Sequence, residues 1–145
     1  MNDLTRPELV CPAGTPASLR AAVDAGADAV YCGFQNATNA RNFAGLNFTP
    51  DELAEGAEYA GQKGAKLLLA INSFPPAGKF DLWRQAVDTG VQTGVDAIIV
   101  ADMGVADYVR TRWPEQRLHL SVQAGASSAE AIRFYCQEFD IKRVV

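Results

Sequence analysis

The sequence predicts an α/β fold, an incomplete (β/α) barrel of the TIM type with about five and a half βα units, in one domain over residues 1–145 without an internal boundary. Apolar strands alternate with amphipathic helices from Glu8 onward, a Gly-x-Asp/Lys device recurs where helix hands over to strand, and polar residues gather where strands end. Strands joined by helical crossovers form a parallel sheet, either doubly wound or closed into a barrel. Cys11-Pro12-Ala13-Gly14-Thr15-Pro16 favours the barrel, because it puts proline where a dinucleotide-binding loop needs backbone donors.

Leu9-Val10-Cys11 begins the first strand, and Thr15-Pro16 opens a helix with a hydroxyl at N-cap and proline at N1. Leu19, Ala22 and Val23 recur at helical spacing, and Gly26 ends that helix in a left-handed turn. Ala29 to Phe34 forms the second strand, and Thr49-Pro50-Asp51-Glu52 caps the second helix. Gly26-Ala27-Asp28, Gly64-Ala65-Lys66 and Gly94-Val95-Asp96 each stop a helix and start a strand within a few residues. Trp83, Val87 and Val91 share one stripe of the third helix, and Asp102 marks the end of the fourth strand. His119 to Ala124 reads as the fifth strand, followed by a helix from Ser127 or Ser128 to about Glu138 with Ile132, Tyr135 and Phe139 on its apolar stripe. A sixth strand starts at Ile141.

A complete barrel takes about 250 residues, so this chain is expected to be a truncated product or to be completed by another polypeptide. Leu9-Val10 and Arg143-Val144-Val145 are then candidate exposed edges. Thirteen basic and seventeen acidic residues give a net charge of −4, and the basic ones are scattered, so a nucleic-acid role finds no support in the charge pattern. No run reaches the roughly 18 apolar residues of a membrane span and the N-terminus has no apolar signal segment, which predicts a cytoplasmic protein. Cys11, Cys32 and Cys136 are an odd set without a Cys-x-x-Cys pair, so no metal site is expected on this chain alone.

The segment Gln35 to Phe48 is too long for an ordinary βα loop, and in a barrel it lies on the catalytic face. Arg41 offers a bidentate grip on a carboxylate or phosphate, and Phe43, Leu46 and Phe48 are expected to anchor the loop. Asn39, Arg41, Asn72, Asp102 and Gln123 are the substrate-binding candidates, by their position on that loop or at strand ends. For Asn72 and Asp102 the alternative is helix capping, and for Gln123 a bond to a neighbouring strand end. No catalytic residue is assigned. The only histidine, His119, is placed at the start of the fifth strand, away from the catalytic rim, as a satisfied structural residue. Neither a nucleophile–base pair nor a His-Glu-x-x-His zinc motif is present, so peptidase chemistry is not expected from these residues.

Cys11-Pro12-Ala13-Gly14, Gly26 to Gly33, Asn39 to Phe48, Ala70-Ile71-Asn72-Ser73-Phe74, Ala101-Asp102 and Ser121-Val122-Gln123-Ala124 resemble the N-terminal motifs of the collagenase-like peptidase family. Within it the resemblance is nearest to the branch serving oxygen-independent ubiquinone biosynthesis. That resemblance implies ring hydroxylation without dioxygen, a 4Fe–4S cluster on four cysteines beyond the matched part, a heterodimer with a UbiV-like protein, and a small aromatic or prephenate-like ligand. Other members are linked to RNA hydroxylation and others to collagenase activity. A non-catalytic half-barrel that docks a partner is the alternative.

Overall fold

The computed structural model describes residues 6–145. Six strands form one parallel sheet in sequential order: β1 (Val10–Pro12), β2 (Ala29–Gly33), β3 (Lys66–Ile71), β4 (Ala97–Val100), β5 (Leu118–Leu120) and β6 (Ile141–Val144). Between them run α1 (Pro16–Asp24), α2 (Pro50–Gln62), α3 (Asp81–Thr93), α4 (Met103–Arg112) and α5 (Ala129–Phe139). This is a half-barrel with helices on its outer side, as the alternation predicts.

The recurrent glycine device has a common mechanism. Gly26, Gly64 and Gly94 take positive φ, and the residue after each donates to a carbonyl five positions back, Ala27 to Ala22, Ala65 to Ala60 and Val95 to Gly90, at 3.0, 2.9 and 3.3 Å. Two of the three then add an acid that ties one strand to the next. Asp28 accepts from the Leu9 amide at 2.7 Å, and Asp96 from the Leu67 amide at 2.8 Å, so each carboxylate satisfies an amide at the entry of the preceding strand. Lys66 occupies the third position and reaches Glu8 instead.

Helix starts follow the sequence. Thr15 and Thr49 form reciprocal capping boxes with Ser18 and Glu52, while Asp102 and Ser128 cap α4 and α5. One strand is shorter than its sequence suggests. β5 stops at Leu120, because the Ser121 hydroxyl accepts from the Gln123 amide at 3.2 Å and draws Val122–Ala124 into a single 3₁₀ turn.

Alternation along each strand separates two apolar layers. Val30, Cys32, Leu67, Leu69, Ile71, Ile98, Val100, Leu118 and Leu120 pack outward against the helices, joined there by Leu19, Leu53, Trp83, Val87 and Val109. Ala29, Leu68, Ala97, Ile99 and Tyr31 form a smaller inward layer on the concave face. Leu69 is fully buried in the outward layer beneath α3. Its replacement by alanine is expected to lower stability by about 2–5 kcal/mol, read as a shifted urea midpoint with an unchanged slope.

Candidate functional site

The concave face holds a cavity of about 520 Å³. Its floor consists of inward strand residues, among them Tyr31, Leu68, Ala70, Ile99 and His119, and its upper wall comes from the long loop and the turn after β5. Most of this lining is apolar. Among the described residues, Arg41, His119 and Arg143 are its only ionisable nitrogen groups and no aspartate or glutamate lines it, although the chain as a whole carries a net charge of −4.

The loop wall is built around Asn47. This residue takes φ 76°, a conformation asparagine tolerates better than most, and its backbone amide donates to Gly14 at 2.7 Å. Its side-chain amide donates to the Arg41 carbonyl and its Oδ1 accepts from Asn39, both at 2.9 Å. Gln35 donates to the Asn47 carbonyl at 2.9 Å, and Phe34 bridges Phe48 in parallel, so the loop ends are drawn together beside β2. Gly33 is required beneath: a Cβ there would collide with the Asn39 amide. On the other flank the Thr38 carbonyl accepts from the Asn72 and Ser73 amides at 3.0 and 3.3 Å, fixing the loop to the end of β3.

Four of the five sequence-predicted residues line the cavity: Asn39, Arg41, Asn72 and Gln123. Asn39 is buried within the loop network. Asn72 accepts from the Ala40 amide at 3.0 Å and its Nδ2 lies 3.4 Å from the Ser121 hydroxyl, so it links loop, β3 and β5 rather than capping a helix. Arg41 and Gln123 are exposed, and no side-chain hydrogen bond involves either among the described residues. Asp102 is not among the lining residues. Its carboxylate accepts from the Val105 amide at 3.0 Å as the N-cap of α4, the alternative its position allowed. The apolar loop residues also divide: Phe48 is completely buried and anchors the loop, whereas Phe43 and Leu46, 63% and 41% exposed, form the rim instead.

His119 departs from its expected place. It is the middle residue of β5, 2% exposed, and lines the cavity two residues before Ser121. Arg117 Nε donates to His119 Nε2 at 3.1 Å, and the buried Nδ1 has no partner among the described residues. Burial, with Arg143 and Arg117 nearby, brings the imidazole pKa down to about 4. The period of two along β5 was the signal that places His119 and Ser121 on one face. Arg143, paired across the sheet with His119 and ion-paired to Glu8, joins the cavity from β6.

The three cysteines do not converge. Cys32 is buried in the outward layer with its thiol pushed up to about 12 by burial, and no group of three metal-ligating side chains occurs among the described residues. A four-thiolate cluster does not fit these residues. Among the described residues, no helix is long and apolar enough to cross a membrane.

A curved parallel sheet with helices outside and a lined cavity inside defines a protein of the TIM-barrel class, here as a half-barrel. The family description "Peptidase family U32" matches residues 14–145, and the chain belongs to that family. Porphyromonas gingivalis collagenase is 36% identical over 134 residues, 92% of this chain and 32% of that protein. The tRNA hydroxylation protein P of Escherichia coli is 35% identical over 141 residues, covering 97% and 30% respectively. Bacillus subtilis tRNA hydroxylation protein P1 is 36% identical over 140 residues, 97% of this chain and 32% of its own. The chain thus spans about a third of the length of these relatives. Among solved structures, the U32 peptidase Mk0906 superposes with a TM-score of 0.70 at 16% identity, over 90% of this chain and 55% of that one.

Asn47→Ala is expected to remove two hydrogen bonds from inside the loop, leaving Asn39 Nδ2 only its contact with the Phe34 carbonyl and the Arg41 carbonyl only its bond from the Phe43 amide, at a cost of about 1–3 kcal/mol of local stability. Hydrogen exchange should speed up in residues 35–48 while β3 stays protected; uniform acceleration would contradict this loop architecture. The depressed pKa of His119 sets a second expectation. The unfolded chain takes up the proton below pH 6.5 and the folded chain only near 4, so this contribution is complete above 6.5 and is lost as pH falls through that window. A plot of urea-unfolding free energy against pH should therefore be flatter between those values in His119→Gln than in the parent.

Proposed function

We propose that this chain forms the ligand-binding front of a U32-family hydroxylation protein. The observation that carries the reading is the cavity itself: a largely apolar lining suited to a planar ring, an amide-bearing wall, and cationic side chains with no aspartate or glutamate in the lining among the described residues. The relatives named for tRNA hydroxylation favour a nucleobase in RNA as the acceptor. A single base unstacked from its strand needs a concave apolar pocket with amide groups for its edges, and makes little demand on a basic stripe, so the scattered charges are compatible with it.

A second reading rests on the Asn39 to Phe48 segment, which resembles the ubiquinone branch of the family. In that reading the chain is UbiU-like, the acceptor is the quinone ring, a UbiV-like protein is the heterodimer partner, and a 4Fe–4S cluster is held by cysteines other than Cys11, Cys32 and Cys136. In both readings Arg41, Asn72 and Gln123 orient the ligand, and Asn39 holds the loop that carries Arg41.

Deleting the gene is expected to remove one hydroxylated nucleoside from digests of total RNA, seen by mass spectrometry as the loss of a single oxygen. A complementing copy with Arg41→Ala should restore roughly a tenth of it or less, the effect of removing a charge-assisted contact. Intact nucleosides with ubiquinone lost only during anoxic growth would assign the chain to the quinone ring. Collagen cleavage by the purified protein, with both products unaffected by the deletion, would overturn both readings.

A further inference from the structure

We propose that His119 is a ligand-positioning residue on the floor of the cavity, where its Nδ1–H and the Arg143 guanidinium together receive an oxyanion, either a carboxylate or a phosphate. The hydrogen-bond pattern fixes the donor. A guanidinium can only donate, so the bond from Arg117 Nε makes Nε2 the lone-pair nitrogen of a neutral ring and leaves the proton on Nδ1. That nitrogen is buried and unpartnered among the described residues. A buried donor left unpaired is costly in a folded protein, and because His119 is one of the residues lining the cavity, a ligand that reaches the ring can supply the missing acceptor.

Charge decides which acceptor. Arg143, Arg117 and Lys66 surround the imidazole against the single carboxylate of Glu8, and that carboxylate is held by Arg143 Nη2 and Lys66. The remaining Arg143 nitrogens have no hydrogen-bond partner among the described residues. A cation would meet repulsion at this floor, and a neutral carbonyl would leave the excess positive charge uncompensated. An oxyanion satisfies the donor and the charge together. The pairing of His119 with Arg143 across β5 and β6 holds the two groups side by side on rigid strands rather than on a loop.

The inference uses the same cavity as the hydroxylation reading but is tested by binding alone, so that failure of one is distinguishable from failure of the other. The full 145-residue chain, labelled with 15N in histidine, is titrated with benzoate and, separately, with inorganic phosphate at constant ionic strength. A saturable shift of the imidazole Nδ1 resonance, with the ring pKa raised by the bound anion, is expected for at least one probe. Response to benzoate alone identifies a carboxylate site, and response to phosphate alone a phosphoryl site. His119→Leu should weaken binding about tenfold or more, whereas His119→Asn, which keeps an amide donor near the Nδ1 position, should stay within about threefold of the parent. The asparagine variant keeps the test intact if the leucine variant fails to fold, since tight binding by Asn must then be lost in His119→Ala. No saturable shift with either probe, or equal affinity in the parent and in the variants lacking a donor, overturns the proposal.

Discussion

Sequential parallel pairing is the constraint on which the remaining architecture depends. Every strand pairs only with its neighbours in the chain, so each crossover must carry a helix, and all the helices lie on one side of the sheet. The same ordering gives the opposite side its concavity, because strand twist accumulates in one sense along the six strands. Inward residues therefore face a shared hollow instead of a second helical layer. That face can carry a histidine and an arginine because no helix has to be packed against it.

The long loop shows how polar groups can be used for construction. Asn36, Asn39 and Asn47 within it, and Asn72 beside it, all engage backbone or one another, leaving Arg41 as its charge without a side-chain partner among the described residues. An apolar hairpin would have turned Phe43 and Leu46 inward. Here the asparagines do the anchoring with Phe48, and the two other large apolar side chains remain at the cavity mouth. Trp83 extends the arrangement outward, its indole donating to the Ser73 carbonyl at 3.2 Å and tying α3 to the segment on which the loop rests.

The fold was largely legible in the sequence because its signals are local: capping threonines, helix-ending glycines and apolar runs all act over a few residues. Even the Gly-x-Asp repeats could be recognised without their mechanism, which needs the amide of the preceding strand to be in place. The site was legible only in part. Asn39, Arg41, Asn72 and Gln123 were found from their position at strand ends, and Asp102 was grouped with them because a helix N-cap occupies the same position in the chain as a rim residue. His119 was missed because β5 begins one residue earlier and ends sooner than the apolar run implies, moving the ring from the barrel's lower end to its lining. Arg143 was read as part of an edge, since nothing local indicates that residue 143 comes back to residue 8.

That return contact has a mechanical consequence. Glu8, just before the first strand, is gripped by Arg143 of the last strand and by Lys66 of the third, and these neighbours hold its carboxyl below the usual range. The three side chains act as a chord drawn across the lower end of the arc from the first strand to the last, while at the upper end Asn72 ties the end of β3 to Ser121 after β5. The lower tie is ionic, whereas the upper one joins neutral groups. Added salt therefore weakens the lower chord without touching the upper tie or the apolar layers that set the curvature.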